Sequence, residues 1–183
     1  MGHRRNETGE ALDCAGAPNI VLTGFMGTGK TAVGRALAAA LGRDFVDTDD
    51  AIVDVHGPIG EIFATIGEEG FRSLEQQVAK ELAARSDLVI ATGGGMLTRD
   101  DTRAVLAATG RIFCLGAEPS TIMARVVADG IDERPLLAGA DPEHRIAELL
   151  ADRAAIYGRF ETVATDDRTV DEIVAEITAR LSD

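Results

Sequence analysis

Eight consecutive residues set the chemistry open to this chain. Gly24-Phe25-Met26-Gly27-Thr28-Gly29-Lys30-Thr31 fits G-x-x-x-x-G-K-[ST] at every fixed position. Glycines let a backbone curl around a polyphosphate with its N–H groups turned inward. A following helix start adds a field that favours negative charge. Lys30 reaches the outer phosphates, and the Thr31 hydroxyl is an oxygen ligand for Mg²⁺. The plain alternative, a glycine-rich turn that binds nothing, does not need every fixed position filled.

Further groups can act beside such a loop. Asp47 and Asp49, two apart in an extended stretch, point the same way. One carboxylate can hold Mg²⁺ through water while the other takes a proton from an attacking hydroxyl; turn and cap chemistry is the competing use. Gly93, Gly94 and Gly95 expose bare N–H donors to a close ligand, and exceed what a tight turn needs. Two helical faces also carry charge where the pattern calls for apolar residues. At about 100° per residue, Glu75 falls among Phe71, Val78 and Leu82, with Arg72 at the border of that arc. Arg153 falls among Ile146, Leu149, Leu150 and Tyr157. Such ions are paired, snorkelling or facing a cleft. In a cleft, Arg72 and Arg153 would grip a carboxylate in two-pronged fashion, and Glu75 would orient Arg72 from behind. Arg134, in a polar stretch without periodicity, would close over phosphates from a lid at about 129–141.

The elements that must position these groups alternate. Strands are expected at residues 19–23, 44–46, 88–91, 111–115 and 162–165. Helices are expected at 30–41, 50–56, 59–65, 68–84, 99–108, 119–127, 142–157 and 170–181, the last opened by the capping box Thr169/Glu172. This predicts an α/β fold, a five-stranded parallel sheet flanked by helices on both faces, with a lid loop. The Gly-rich loop, Asp47/Asp49 and the glycine triplet each follow a strand, so they share the carboxyl edge where ligands gather. Residues 1–18 read as a flexible N-terminal tail and 19–183 as one domain.

Composition narrows the partners. The formal net charge is −13, and Lys30 and Lys80 are the only lysines. Binding of nucleic acid or an anionic membrane through overall charge is excluded, so arginines must gather locally on a polyanionic ligand. Cys14 and Cys114 are far apart in predicted context, and His3, His56 and His144 lack metal-ligand spacing. No apolar run reaches membrane-span length and no signal-peptide core is present. A cytoplasmic monomer is expected.

Together these features resemble the shikimate kinase family of small P-loop kinases. The resemblance runs from about residue 19 onward and rests on GFMGTGKT (24–31), DTD (47–49), GEEGFRSLE (67–75), TGGG (92–95), RPLL (134–137) and RAAIY (153–157). The chain departs from the family at Ala155, where a proline is usual. The resemblance implies ATP held by Gly27, Thr28, Gly29, Lys30, Thr31 and Ala32, with Arg125 stacked on adenine. It implies Mg²⁺ on Thr31 and, through water, on Asp47. Shikimate would lie against Asp49, Arg72, Gly93, Gly94, Gly95 and Arg153, with Lys30, Asp49 and Arg134 acting in catalysis. Two readings compete with it. One is a related kinase for another hydroxy acid or polyol such as gluconate. The other is a switch-type or non-catalytic nucleotide-binding protein, against which the missing guanine-reading N-K-x-D speaks.

Overall fold

The computed structural model describes residues 17–129 and 141–182. The remainder of the expected tail with Cys14, and the greater part of the expected lid with Arg134, lie outside the described residues.

Five strands form one parallel sheet: β1 (Asn19–Gly24), β2 (Asp44–Asp47), β3 (Leu88–Ala91), β4 (Gly110–Gly116) and β5 (Glu161–Ala164), in the order β2-β3-β1-β4-β5. Every residue of β1 and of β3 is buried, which explains their uninterrupted apolar runs: a central parallel strand has no wet face. Ile20, Leu22, Phe113, Leu115 and Val163 pack on one side against α1 (Lys30–Leu41) and α7 (Val170–Leu181), through Val33, Leu37, Ile173 and Ile177. Val21, Ile90 and Ile112 pack on the other against α3 (Ile59–Ala83) and α4 (Asp100–Ala107), through Ala79, Leu82 and Leu106. This is the expected three-layer architecture.

Two smaller clusters shape the carboxyl edge. Phe25, from the loop after β1, is buried among Ile122 and Val126 of α5 (Pro119–Asp129) and Ile146 and Leu149 of α6 (Pro142–Tyr157). Ile52 of α2 (Thr48–His56) packs on Ile62 and Phe71 of α3. The sheet thus carries a wall of helices on each side of its functional edge.

Three boundaries differ from the sequence-based expectation. The helix after β2 starts at Thr48, because the Asp47 side chain caps it and accepts the Asp49 N–H at 3.1 Å. Asp47 and Asp49 therefore do not share an extended stretch; a strand end and a first helical turn bring them together. The two expected helices at 59–65 and 68–84 run as one, broken at Gly67 with φ 70° and ψ −176°. A Cβ at Gly67 would meet nothing within 4 Å, so the glycine serves the backbone angle and not a tight fit. A short 3₁₀ turn (Met96–Thr98), with Met96 and Leu97 buried, separates the glycine triplet from α4.

The opposite edge anchors the start of the described chain. Asp87 exchanges two hydrogen bonds with Ala17: its N–H donates to the Ala17 carbonyl at 3.0 Å, and its Oδ1 accepts the Ala17 N–H at 3.0 Å. The Asn19 amide group ties the same corner, donating to the Arg85 carbonyl and accepting from the Leu88 N–H. Among the described residues, no helix is long and apolar enough to cross a membrane.

Candidate active site

The glycine-rich loop leaves β1 through a position only glycine can hold. Gly24 has φ +135°, and a Cβ there would lie 2.2 Å from the Leu115 carbonyl oxygen of β4. Thr28 is buried and its hydroxyl donates to the Phe25 carbonyl at 2.7 Å, while the Lys30 ammonium donates to the same oxygen at 2.9 Å. The buried Phe25 ring so carries the loop's shape into the wall made by α5 and α6. At the start of α1, Gly29 supplies no side-chain cap and the first turn holds no acidic residue. By contrast α2 and α7 have both. The N–H groups and positive field at the start of α1 are thus left for an external anion.

Asp47 uses its two oxygens differently. Oδ1 caps α2, and Oδ2 accepts a 2.8 Å hydrogen bond from the Thr31 hydroxyl. The cap therefore fixes the carboxylate so that its other oxygen faces the loop. Capping uses one oxygen of Asp47 and leaves the other turned to Thr31. Thr31 and Asp47 make a hard oxygen pair of the kind Mg²⁺ takes, beside a loop whose bound phosphates would supply further oxygens. Among the described residues, no cluster of three or more His, Cys, Asp and Glu side chains is arranged to hold a metal by itself. Asp49 lies one step deeper. Burial, and then the Asp47 charge, push its carboxyl up to about 6, against the pull of Lys30 and Arg72.

The glycine triplet meets three different side chains. A Cβ on Gly93 would lie 2.5 Å from Asp49 Oδ1, one on Gly94 would lie 3.4 Å from Arg153 Nη1, and one on Gly95 would lie 2.8 Å from Arg72 Nη1. None of the three has the positive φ that reserves a position for glycine. Asp49 and Arg72 leave no room for a Cβ at Gly93 and Gly95, while at Gly94 the Arg153 guanidinium and the Gly24 carbonyl oxygen both stand at 3.4 Å. Arg72 is held from behind by Glu75, only 2 % exposed, at 2.8 Å, and by Glu68 at 3.1 Å. Burial pushes the Glu75 carboxyl up while Arg72 pulls it down. Arg153 stacks over the Phe25 ring, 5.4 Å from its centroid, and Nη1 donates to the Gly94 carbonyl at 3.2 Å. The structure thus brings Arg72 from α3 and Arg153 from α6 to one ribbon of backbone.

Gly27, Gly29, Lys30, Thr31, Ala32, Asp47, Asp49, Thr92, Gly94 and Arg125 are among the residues lining one cleft of about 390 Å³. Arg125 spans it from α5, donating to the Gly27 carbonyl at 3.2 Å and to Thr165 Oγ1 and O at 3.0 and 2.8 Å. Three contributors escape sequence reasoning. Thr48 is fully buried, and its Oγ1 accepts the Gly93 N–H at 2.9 Å. The Tyr157 hydroxyl donates to the Gly94 carbonyl at 2.7 Å. Thr165 holds Arg125. A threonine between two aspartates and a tyrosine one turn beyond Arg153 were the available signals, but both also fit plain packing.

A phosphate loop at the start of α1, a carboxylate beside it and a guanidinium pair across a glycine ribbon define a P-loop kinase acting on a small acceptor. The family model described as shikimate kinase matches residues 26–182. A shikimate kinase of Symbiobacterium thermophilum is 46% identical over 168 residues, covering 90% of this chain and 97% of that protein. One of Thermodesulfovibrio yellowstonii is 43% identical over 161 residues, covering 87% and 92%. The solved structure of shikimate kinase from Acinetobacter baumannii in complex with shikimate superposes with a TM-score of 0.85 at 37% identity, covering 91% of this chain and 93% of that one. The chain belongs to the shikimate kinase family.

Proposed function

We infer that this chain transfers the γ-phosphoryl group of ATP to the 3-hydroxyl of shikimate. One observation carries the reading of the acceptor side: Asp49, Arg153 and Arg72 each lie against a successive glycine of one ribbon, Gly93, Gly94 and Gly95. A carboxylate that accepts a hydroxyl proton and two guanidinium groups that grip an anion, side by side, suit a small hydroxy acid.

In this reading the loop amides from Gly27 to Ala32 and the Lys30 ammonium hold the phosphates, and Arg125 flanks the nucleotide. Arg72, braced by Glu75, and Arg153 hold the acceptor carboxylate. Asp49 binds the acceptor hydroxyls and takes the proton of the attacking one. The acceptor oxygen bonds to the γ-phosphorus as the bond to the bridging oxygen breaks, and ADP leaves. Thr31 would hold Mg²⁺ directly and Asp47 through water; when bound, the cation neutralises charge on the phosphate oxygens. Arg134 would join from the lid, where it adds positive charge and helps exclude water. Positioning and electrostatics supply most of the acceleration. The same reading makes the chain a monomer of the cytoplasm, which the free, buried Cys114 of β4 suits.

Coupled measurement of ADP release tests it. We expect release to require shikimate, to be negligible with gluconate, and to be lost in Lys30→Ala without change in melting temperature. Equal turnover with gluconate, or full turnover in Lys30→Ala, overturns it. Excess EDTA should abolish release and added Mg²⁺ restore it.

A further inference from the structure

Gly94 sits at the centre of the ribbon, and its carbonyl oxygen receives two donors: Arg153 Nη1 at 3.2 Å and the Tyr157 hydroxyl at 2.7 Å. Both side chains project from α6, four residues apart, so they lie one above the other on a single face. The Tyr157 ring packs with the cluster around Phe25, and the Phe25 ring is the surface on which Arg153 stacks. Burial raises the Tyr157 hydroxyl above its ordinary range, which keeps it protonated and able to donate throughout the working pH range. Phe25 and the Gly94 carbonyl therefore both hold Arg153, and Tyr157 holds that same carbonyl. Without the shorter bond to Tyr157, the Gly94 carbonyl keeps the longer bond from Arg153, and the ribbon loses its link to the end of α6.

We propose that Tyr157 is a positioning residue for acceptor binding. It fixes the Gly94 carbonyl and, through that carbonyl, sets the Arg153 guanidinium so that its remaining N–H groups face the acceptor's carboxylate. The proposal rests on the reading of Arg153 given above as a carboxylate-binding group. Tyr157 does not touch the reacting atoms, so its effect falls on acceptor affinity and not on the chemical step.

The test is steady-state kinetics on Tyr157→Phe, Arg153→Ala and the double variant. Phe keeps the ring and its packing, and removes only the donor. For Tyr157→Phe we expect the KM for shikimate to rise roughly five- to tenfold, the effect of one lost hydrogen bond, with kcat and the KM for ATP within twofold. In the Arg153→Ala background the same substitution should change the shikimate KM by less than twofold, because the two act as one unit. If Arg153→Ala leaves the shikimate KM unchanged, the carboxylate-binding reading of Arg153 itself fails. If Arg153→Ala raises it but Tyr157→Phe does not, only the role given to Tyr157 fails. An equal rise in both backgrounds, or a loss confined to kcat or accompanied by a lower melting temperature, makes Tyr157 a packing residue and overturns the proposal.

Discussion

Asp49 carries opposite demands at the residue scale. Its burial, which raises its carboxyl to about 6, makes it a better proton acceptor near neutrality and a worse resident of the fold. The raised value means that the charged form is disfavoured by folding: stability is highest below the unfolded pKa and is lost as pH rises through about 6. Asp49→Asn should therefore stabilise the unliganded protein at pH 8, by on the order of 2 kcal/mol. That gain should vanish below about pH 4, where both proteins are neutral at this position. The same variant should lose about 10²–10⁴-fold in kcat with the KM for ATP unchanged. In the parent protein kcat should fall as pH drops through about 6. Thermal melts across pH beside rate profiles check both; a destabilised Asp49→Asn would contradict the first.

At the scale of elements, the glycines sort by what lies against them. A Cβ at Gly24 would strike backbone, 2.2 Å from the Leu115 carbonyl, at a φ other residues avoid. A Cβ at Gly95 would strike only the far end of Arg72, at 2.8 Å. Gly24→Ala is expected to unfold or strongly destabilise the protein, by about 3 kcal/mol or more. Gly95→Ala should keep the melting temperature within a few degrees while raising the KM for shikimate about tenfold, since a small misplacement of a gripping group is costly. Sequence alone could not separate the two. It could show that three adjacent glycines are more than a turn requires, but not that three charged side chains from α2, α3 and α6 converge on them. Nor could it place the start of α2: a strand-to-helix switch made by the Asp47 cap leaves no trace in apolar periodicity. The strands and long helices were legible because buried parallel strands read as unbroken apolar runs, and because Pro142 and the Thr169/Glu172 box mark helix starts chemically. Glu75 and Arg153 were visible for the reverse reason, as charges on faces that periodicity made apolar.

For the whole molecule, the charge balance opposes the ligands. A net charge of −13 surrounds a site read as binding two anions, and the distant carboxylates repel both while Lys30, Arg72, Arg125 and Arg153 attract them at short range. Salt screens the long-range repulsion first. Raising ionic strength from about 20 to 150 mM should therefore raise kcat/KM two- to fivefold, the reverse of the decline seen where steering is attractive. Rates measured at constant free Mg²⁺ over a salt series check the sign.

The knot between Asp87 and Ala17 settles a practical matter. It pins the first described residue at the amino ends of β1 and β3, while the cleft opens at the carboxyl ends of the same strands. Ala17 therefore lies at the floor of the molecule, with the sheet between it and the reaction. A support or label joined directly at Ala17 should leave the mouth facing the solution and turnover as it is in the free enzyme.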